Sequence, residues 1–440
     1  MKLSVIGCGY LGAVHAAAMT TLGHQVVGID TDKNKIASLR EGRPPFYEPE
    51  FDSLLKSALE SELLSFSDDI TQASSATVHF LCVGTPQKRG EYGADLRFVD
   101  TAVTSLLPVL SDGDLVVGKS TVPVGTASRL MGVVAGAAPG AQVAWNPEFL
   151  REGHAVQDTL KPDRLVYGVT DDPHGDVARQ TLDQLYSALL EAGVPRIVMD
   201  LATAEMVKTA ANSFLATKIS FINAMAELCE ATGADVRLLA DAIGYDERIG
   251  RKFLNAGVGF GGGCLPKDIR AFMARAGELG ADQALTFLRE VDSINMRRRS
   301  RMVELTREVC NGSLLGKKVA ILGAAFKPNS DDIRDSPALN IAAQLELQGA
   351  LVRVTDPVAL EKCRIAWPNL DYVASVDEAV ADADVVLLLT EWQAYLDLDP
   401  EVLGSLVRQK RVLDGRNSLP RELWEKAGWA YRGLGLHQHA

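Results

Sequence analysis

Short apolar runs alternate with stretches of helical periodicity through the first 200 residues. Leu3 to Ile6 is apolar apart from Ser4, Gly7-Cys8-Gly9-Tyr10-Leu11-Gly12 opens a segment predicted helical to about Leu22, and a second strand, Val26 to Ile29, ends at Asp30. Further strands are predicted at Thr77 to Val83, Leu115 to Lys119, Gln142 to Trp145 and Arg164 to Tyr167, with a helix over Pro173 to Leu190. Nearly continuous apolar strands separated by helices predict a parallel sheet covered on both faces. After residue 200 the period changes. From Leu201 to about Ala231 there is no proline or glycine, apolar residues recur at helical spacing, and Asp200 or Thr203 is placed to cap the start. A helix of ~30 residues is about 45 Å long, more than one small core can use, so it suits a spine or a dimer face. Helical patterning continues to about Cys310, broken by the glycine-rich stretch Gly257 to Gly263. From Lys317 the α/β pattern returns, with strands at Val319 to Leu322, Leu351 to Thr355, Val385 to Leu389 and Arg411 to Leu413 and a helix over Pro337 to Gln348. The expected fold class is α/β, two doubly wound units joined by a long central helix and a helical region, with boundaries 1–200, 201–310 and 311–440.

Composition narrows what such a chain can do. Its 440 residues are 47% hydrophobic and 23% charged, as in a soluble globular protein. With 45 Lys and Arg against 57 Asp and Glu the net charge is −12, which disfavours a nucleic-acid partner needing a basic stripe. Six cysteines show no CxxC pair and no Cys/His cluster, so neither disulfides nor a metal are expected, and a reducing, cytoplasmic location is. The N-terminus runs straight into a strand and lacks the pattern of a signal peptide, and no apolar run approaches the ~20 residues of a membrane helix. None of the seven histidines lies in a motif, and His437 and His439 look like tail residues.

The glycine loop sits between a strand and a helix, with an acid at the end of the next strand. In that setting Gly7 permits a tight turn, Gly9 lets backbone approach a pyrophosphate, and Gly12 lets helix and strand pack closely. The helix N-terminus offers unpaired N–H groups to the phosphates, and Asp30 would accept from ribose hydroxyls and repel a 2′-phosphate, favouring NAD over NADP. Lys35 either flanks the adenosine ribose or is a solvated helix lysine. The later unit has Gly323-Ala324-Ala325-Phe326-Lys327 at the matching place, which does not repeat the loop. One half therefore holds the cofactor, and the other part of the substrate.

Four further segments carry unusual combinations. Lys119-Ser120-Thr121-Val122-Pro123-Val124-Gly125-Thr126 puts a hydroxyl past a strand end, where doubly wound sheets bind ligands. Asn146-Pro147-Glu148-Phe149-Leu150-Arg151-Glu152-Gly153 places two carboxylates after the next strand, and Lys208 and Asn212 share a helix face. Gly259-Phe260-Gly261-Gly262-Gly263-Cys264-Leu265-Pro266-Lys267-Asp268 sets one cysteine in a glycine-rich loop, and those glycines are expected to keep the loop open to ligand. The other five cysteines, Cys8, Cys82, Cys229, Cys310 and Cys363, read as core residues.

Together these segments resemble the UDP-glucose/GDP-mannose dehydrogenase family, from the first loop through Phe326-Lys327-Pro328-Asn329-Ser330-Asp331-Asp332-Ile333-Arg334-Asp335-Ser336-Pro337 to the final unit. The resemblance implies two Rossmann-like domains joined by the long helix, which also forms the helical dimerisation region of a homodimer or higher homo-oligomer. It implies NAD-dependent four-electron oxidation of the C6 alcohol of a nucleotide sugar, with two NADH formed. UDP-glucose giving UDP-glucuronate is the substrate the resemblance implies, and Val258-Gly259-Phe260-Gly261-Gly262 before the cysteine leans the same way. GDP-mannose, TDP-glucose or a UDP-N-acetylhexosamine is the alternative. A β-hydroxyacid dehydrogenase would need neither Cys264 nor a second α/β unit, and an NAD-sensing scaffold would not need the Cys-Lys-Asn-Asp set.

The chemistry of those residues fits the same reaction. A thiolate at Cys264 adding to an aldehyde gives a thiohemiacetal, whose oxidation yields a thioester that water hydrolyses; Lys267 nearby would favour the thiolate. By resemblance Lys208 stabilises the first alkoxide or takes its proton, Asn212 helps hold the oxyanion, and Asp268 assists the thiol or the hydrolytic water. Thr121 and Glu148 would position that water, and Glu152 would sit near the nicotinamide. The cofactor set implied is Gly7, Gly9, Tyr10, Leu11, Gly12, Asp30, Lys35, Thr85, Thr121, Glu152, Lys267 and Arg334, although Arg334 has an ion pair with Asp331, Asp332 or Asp335 as its alternative. The substrate set implied is Glu148 with Phe149, Leu150, Arg151 and Glu152, then Lys208, Asn212, Phe253, Leu254, Asn255, Ala256, Gly257, Gly261, Lys327 and Arg416. Arg248 would be contributed across the dimer. Gly263 stands where family members often carry Ser, and Asn255 where some carry Lys.

Overall fold

The computed structural model describes residues 1–436, so His437 and His439 lie outside the described residues. The chain divides into two compact units, one of residues 1–211 with 270–280 and one of residues 212–269 with 281–440. Residues 201–310 are thus shared by both.

The first unit is built on eight strands, β1 Lys2–Ile6, β2 Gln25–Ile29, β3 Leu64–Ser67, β4 Val78–Leu81, β5 Leu115–Gly118, β6 Gln142–Trp145, β7 Leu165–Gly168 and β8 Arg196–Met199, in the order β3-β2-β1-β4-β5-β6-β7-β8. From β3 to β6 every pair is parallel, and β1 registers Ile6 against both Ile29 and Leu81. The order reverses direction at β1/β4, which puts the loop after β1 at a topological switch point. A purely parallel sheet was expected; instead β7 meets β6 antiparallel, Trp145 opposite Gly168. The connection between them holds one six-residue helix, Ala155–Leu160, too little for a crossover to the same end.

The second unit carries β9 Lys318–Leu322, β10 Leu351–Thr355, β11 Asp371–Tyr372, β12 Val385–Leu388, β13 Arg411–Asp414 and β14 Ala430–Gly433, in the order β11-β10-β9-β12-β13-β14 and all parallel. That is the strand order of the first six strands of the other unit. The repeat is in topology, with one glycine fingerprint between the two.

Elements fall close to their predicted ranges where apolar runs are long. The long helix is Leu201–Thr232, started by Asp200, whose carboxylate accepts from the Thr203 N–H at 2.9 Å. The helix predicted over Pro173 to Leu190 is broken into Pro173–Leu185 and Ser187–Glu191 at Tyr186, whose hydroxyl donates into the interior to Asn146 Oδ1 at 2.8 Å. Strands β3, β8, β11 and β14 were not expected, being two- to four-residue elements without a full apolar run.

Candidate active site

The loop after β1 is shaped by contact distances. Gly7 sits at φ +94° and its N–H donates to Ile29 O at 2.7 Å. A Cβ on Gly12 would lie 1.8 Å from Gly7 O, so the helix Tyr10–Thr21 can reach the strand this closely with glycine alone. Around Gly9 nothing lies within 4 Å of such a Cβ, leaving space for a ligand, and no side chain caps the helix start. Asp30 holds the loop from the next strand, accepting from the Cys8 N–H at 2.8 Å and from the Asp32 N–H at 3.0 Å. Lys35 pairs with Asp30 Oδ2 at 2.8 Å and is not a freely solvated helix residue. Open space at Gly9, uncapped N–H groups and an acid with lone pairs to spare fit a dinucleotide without a 2′-phosphate.

A buried carboxylate that the motifs did not reveal underlies this loop. Glu48, 3% exposed, accepts from the Tyr10 hydroxyl and from the N–H groups of Gly153 and Ala155, both at 2.7 Å. Burial raises its pKa, as it does that of Tyr10.

The loops after β5 and β6 meet the start of the long helix. Lys208 pairs with Glu148 Oε1 at 2.9 Å, while Glu148 Oε2 accepts from the Leu150 N–H at 2.6 Å. Lys208 is buried, and Phe149 lies beneath it with the Arg164 guanidinium 3.8 Å from its ring centroid. Thr121 is half-buried, its carbonyl accepting from the Thr85 hydroxyl at 2.7 Å. Behind them Lys119 is buried without a carboxylate partner among the described residues, donating to Asn146 Oδ1 at 2.9 Å; burial lowers its pKa to about 8. Arg151 is turned onto Asp158, with Nη2 at 2.6 Å, and Glu152 is half-buried.

In the second unit Cys264 is exposed and directly precedes the helix Leu265–Glu278, the Asp268 N–H donating to its carbonyl at 3.0 Å. A thiol at a helix N-terminus is biased toward thiolate by the aligned peptide dipoles. Asp268 is 2% exposed and anchors the cluster, accepting from Asn212 Nδ2 at 2.6 Å and from the Lys267 ammonium. Lys267 therefore faces a carboxylate, and Asn212 keeps one amide N–H beyond that bond.

The glycines before Cys264 do not hold the loop open, as the sequence had suggested; they bring it against protein. A Cβ would lie 2.3 Å from Asn295 Oδ1 at Gly259, 2.3 Å from Asp335 O at Gly261, 2.7 Å from the Phe326 ring at Gly262 and 2.1 Å from the Arg334 guanidinium carbon at Gly263. Asn295 is fully buried and grips Phe260 at both ends, accepting from its N–H at 2.7 Å and donating to its carbonyl at 3.0 Å. Arg334 forms the ion pair that was its alternative reading, with Asp332 at 2.7 Å.

The other substrate candidates of this unit occupy different settings. Leu254 and Ala256 are buried, Phe253 is at φ +66°, and Asn255 Oδ1 accepts from Arg251 at 2.7 Å. The Gly257 N–H donates to Asn223 Oδ1 at 2.9 Å from the long helix. Arg416 donates to the carbonyls of Leu389 at 2.7 Å, Gly259 at 3.1 Å and Phe326 at 3.0 Å. It staples three loops and retains two further N–H groups. Lys327 extends over the Phe326 ring at 5.3 Å. Arg248 is outermost, paired with Asp246 at 2.6 Å with its side chain 88% exposed. Cys8, Cys82, Cys229, Cys310 and Cys363 are buried.

Glu48, Asn223, Asn295 and Glu205 (described below) are the functional supports that motif reading missed. Each acts on backbone tens of residues away, so no local spacing announces it.

A dinucleotide loop at the switch point of one sheet, a topologically matching second sheet and a thiol at a helix start define a nicotinamide-dependent dehydrogenase. The chain belongs to the UDP-glucose/GDP-mannose dehydrogenase family: its NAD binding domain model matches residues 1–190, its central domain 202–297 and its UDP binding domain 320–421. The chain is 39% identical over 438 residues to a UDP-glucose 6-dehydrogenase of Rhizobium meliloti (strain 1021), covering 99% of each. It is 40% identical over 440 residues to UDP-glucose 6-dehydrogenase TuaD of Bacillus subtilis (strain 168), covering 99% of this chain and 93% of that one. Among solved structures it resembles a UDP-glucose dehydrogenase from Pyrobaculum islandicum, with TM-score 0.89, 39% identity and coverage of 99% and 98%. Among the described residues no helix is long and apolar enough to cross a membrane.

Proposed function

We propose that this chain oxidises the C6 alcohol of UDP-glucose to the carboxylate of UDP-glucuronate through a covalent thioester on Cys264. The observation that carries the reading is Cys264 exposed at a helix N-terminus beside the Asn212–Asp268–Lys267 cluster, whose Asp268 is buried. Full-length relatives named UDP-glucose 6-dehydrogenase support the substrate.

NAD, held by Gly7, Gly9, Tyr10, Leu11, Gly12 and Asp30, supplies the hydride acceptor for both oxidations, two NADH forming per substrate. Lys208, paired with Glu148 at 2.9 Å, stabilises the C6 alkoxide of the first step as an ammonium or, as the neutral amine, takes the hydroxyl proton. The Cys264 thiolate then forms a C–S bond to the aldehyde carbon, and the carbonyl oxygen gains a proton to give the thiohemiacetal. The spare N–H of Asn212 and the Lys208 ammonium serve the developing oxyanion. After the second oxidation the thioester is opened by water, which Thr121 and Glu148 position; the C–S bond breaks and the thiol is regenerated. The uridine diphosphate is assigned to the Phe253 to Gly257 stretch with Gly261, Lys327 and Arg416, and the sugar to Glu148 through Glu152.

The protein is read as a cytoplasmic homodimer or higher homo-oligomer. Phe214, Phe221 and Leu228, spaced seven residues apart on the long helix, are 67%, 47% and 57% exposed. An apolar stripe of that width on one helix side supports a face for a second copy, to which Arg248 would reach. Phe214→Glu with Phe221→Glu should convert the assembly to monomer in analytical ultracentrifugation; an unchanged sedimentation coefficient would contradict this interface.

Substrate choice is tested with a panel of UDP-glucose, GDP-mannose, TDP-glucose and a UDP-N-acetylhexosamine. UDP-glucose should have the highest kcat/KM by at least about tenfold, a discrimination of about 1.4 kcal/mol. A higher value for any other member would reject the assignment.

A further inference from the structure

One turn of the long helix fixes both loops assigned to the hydrolytic water. Glu205 is 2% exposed and stands one turn before Lys208. Its carboxylate accepts from the Gly125 N–H at 2.7 Å and the Ala127 N–H at 2.6 Å. These groups open the helix Thr126–Ala137, which begins at Gly125 with φ +97° and has no side-chain cap of its own. Glu205 therefore caps it from another element. The same chain corner is held from its other side by Arg275, whose Nε donates to Val124 O at 2.9 Å. At the far end of the loop, the Thr85 and Ser120 hydroxyls donate to Thr121 O and Val83 O, both at 2.7 Å. Thr121 thus sits on a segment clamped at both ends, and the second clamp is the helix turn whose Lys208 holds Glu148 at 2.9 Å.

We infer that Glu205, seconded by Arg275, is a positioning residue for thioester hydrolysis: it fixes the Thr121 loop against the helix turn that fixes Glu148. This rests on the thioester reading above. In that step water oxygen bonds to the acyl carbon and the C–S bond breaks with its electron pair on sulfur. One water proton goes to Sγ, and the other is released as the carboxylate ionises. Neither hydride-transfer step consumes water, so loosening the loop should slow hydrolysis more than oxidation. A general structural lesion would slow all steps together.

The test uses single turnovers of UDP-glucose with excess NAD, following NADH by absorbance and the covalent adduct by intact mass after acid quench. Glu205→Gln keeps one acceptor oxygen in place. Its two NADH should appear within about threefold of the wild-type rate, while the acyl-enzyme adduct decays at least about tenfold more slowly. Arg275→Met, which frees the corner from its opposite side, should shift the same ratio in the same direction. Equal slowing of NADH formation and adduct decay in both variants, or adduct decay at the wild-type rate, would overturn the inference. Wild-type enzyme that releases a single NADH and shows no adduct would instead overturn the thioester reading on which it rests.

Discussion

At the scale of single residues the account turns on two groups. Cys264 is the exposed thiol among six, and its neighbours explain why it should react. Cys264→Ala should lower UDP-glucuronate formation by at least about a thousandfold, as loss of a catalytic nucleophile does. Cys264→Ser should stall after the first oxidation or trap a covalent or aldehyde-level species, visible by mass spectrometry. Full turnover by the alanine variant would remove the covalent route. Lys119 offers a test in pH. Burial holds its folded pKa near 8, below the ordinary lysine value of 10.5. Below pH 8 both folded and unfolded chains carry the proton, and the fold bears the whole cost of the buried charge. Between pH 8 and 10.5 the unfolded chain binds more protons than the native one, so stability rises with pH through this window. Wild-type stability should therefore gain on Lys119→Met by about 3 kcal/mol from pH 8 to 10.5 in urea unfolding; a pH-independent difference would contradict the burial. Cys264, Asp268 and Asp30 were legible because each sits in a local motif. Glu48 and Glu205 were not, because a buried carboxylate is defined by distant backbone N–H groups, here those of Gly153, Ala155, Gly125 and Ala127.

At the scale of elements, packing distance decides what loops can do. Gly12→Ala would force its Cβ onto Gly7 O at 1.8 Å, so the helix must lift from the strand. NAD binding should weaken at least about tenfold, about 1.4 kcal/mol, in calorimetric titration; wild-type affinity would mean that the loop does not depend on that contact. The cysteine loop reverses the expectation raised by its composition. Its glycines admit Asn295, Asp335, Phe326 and Arg334, so they fit the loop closely to the protein around it. Residue types alone cannot separate these uses, since both need an absent Cβ. Long strands such as β1 and β10 were placed to within a residue because every position is apolar or alternates. Edge strands such as β8, four residues long and with Ile197 and Val198 exposed, are too short to stand out.

At the scale of the whole molecule, two sheets of one strand order divide the work: the first has the glycine fingerprint, and the second matches the family's UDP binding domain. The antiparallel entry of β7 was beyond the sequence, since direction depends on a connection whose helix is only six residues long. The net charge of the chain is −12, so the proposed anionic ligands would have to be met by local cations, for which Lys208, Lys267, Lys327 and Arg416 are the proposed groups. What unites these parts in the proposed reaction is a four-electron oxidation carried through one cysteine. The direct measurement is the number of NADH molecules formed per UDP-glucose consumed, with both quantified at the end point of one reaction. The account predicts two NADH with UDP-glucuronate as the product; one NADH, with an aldehyde released, would contradict it.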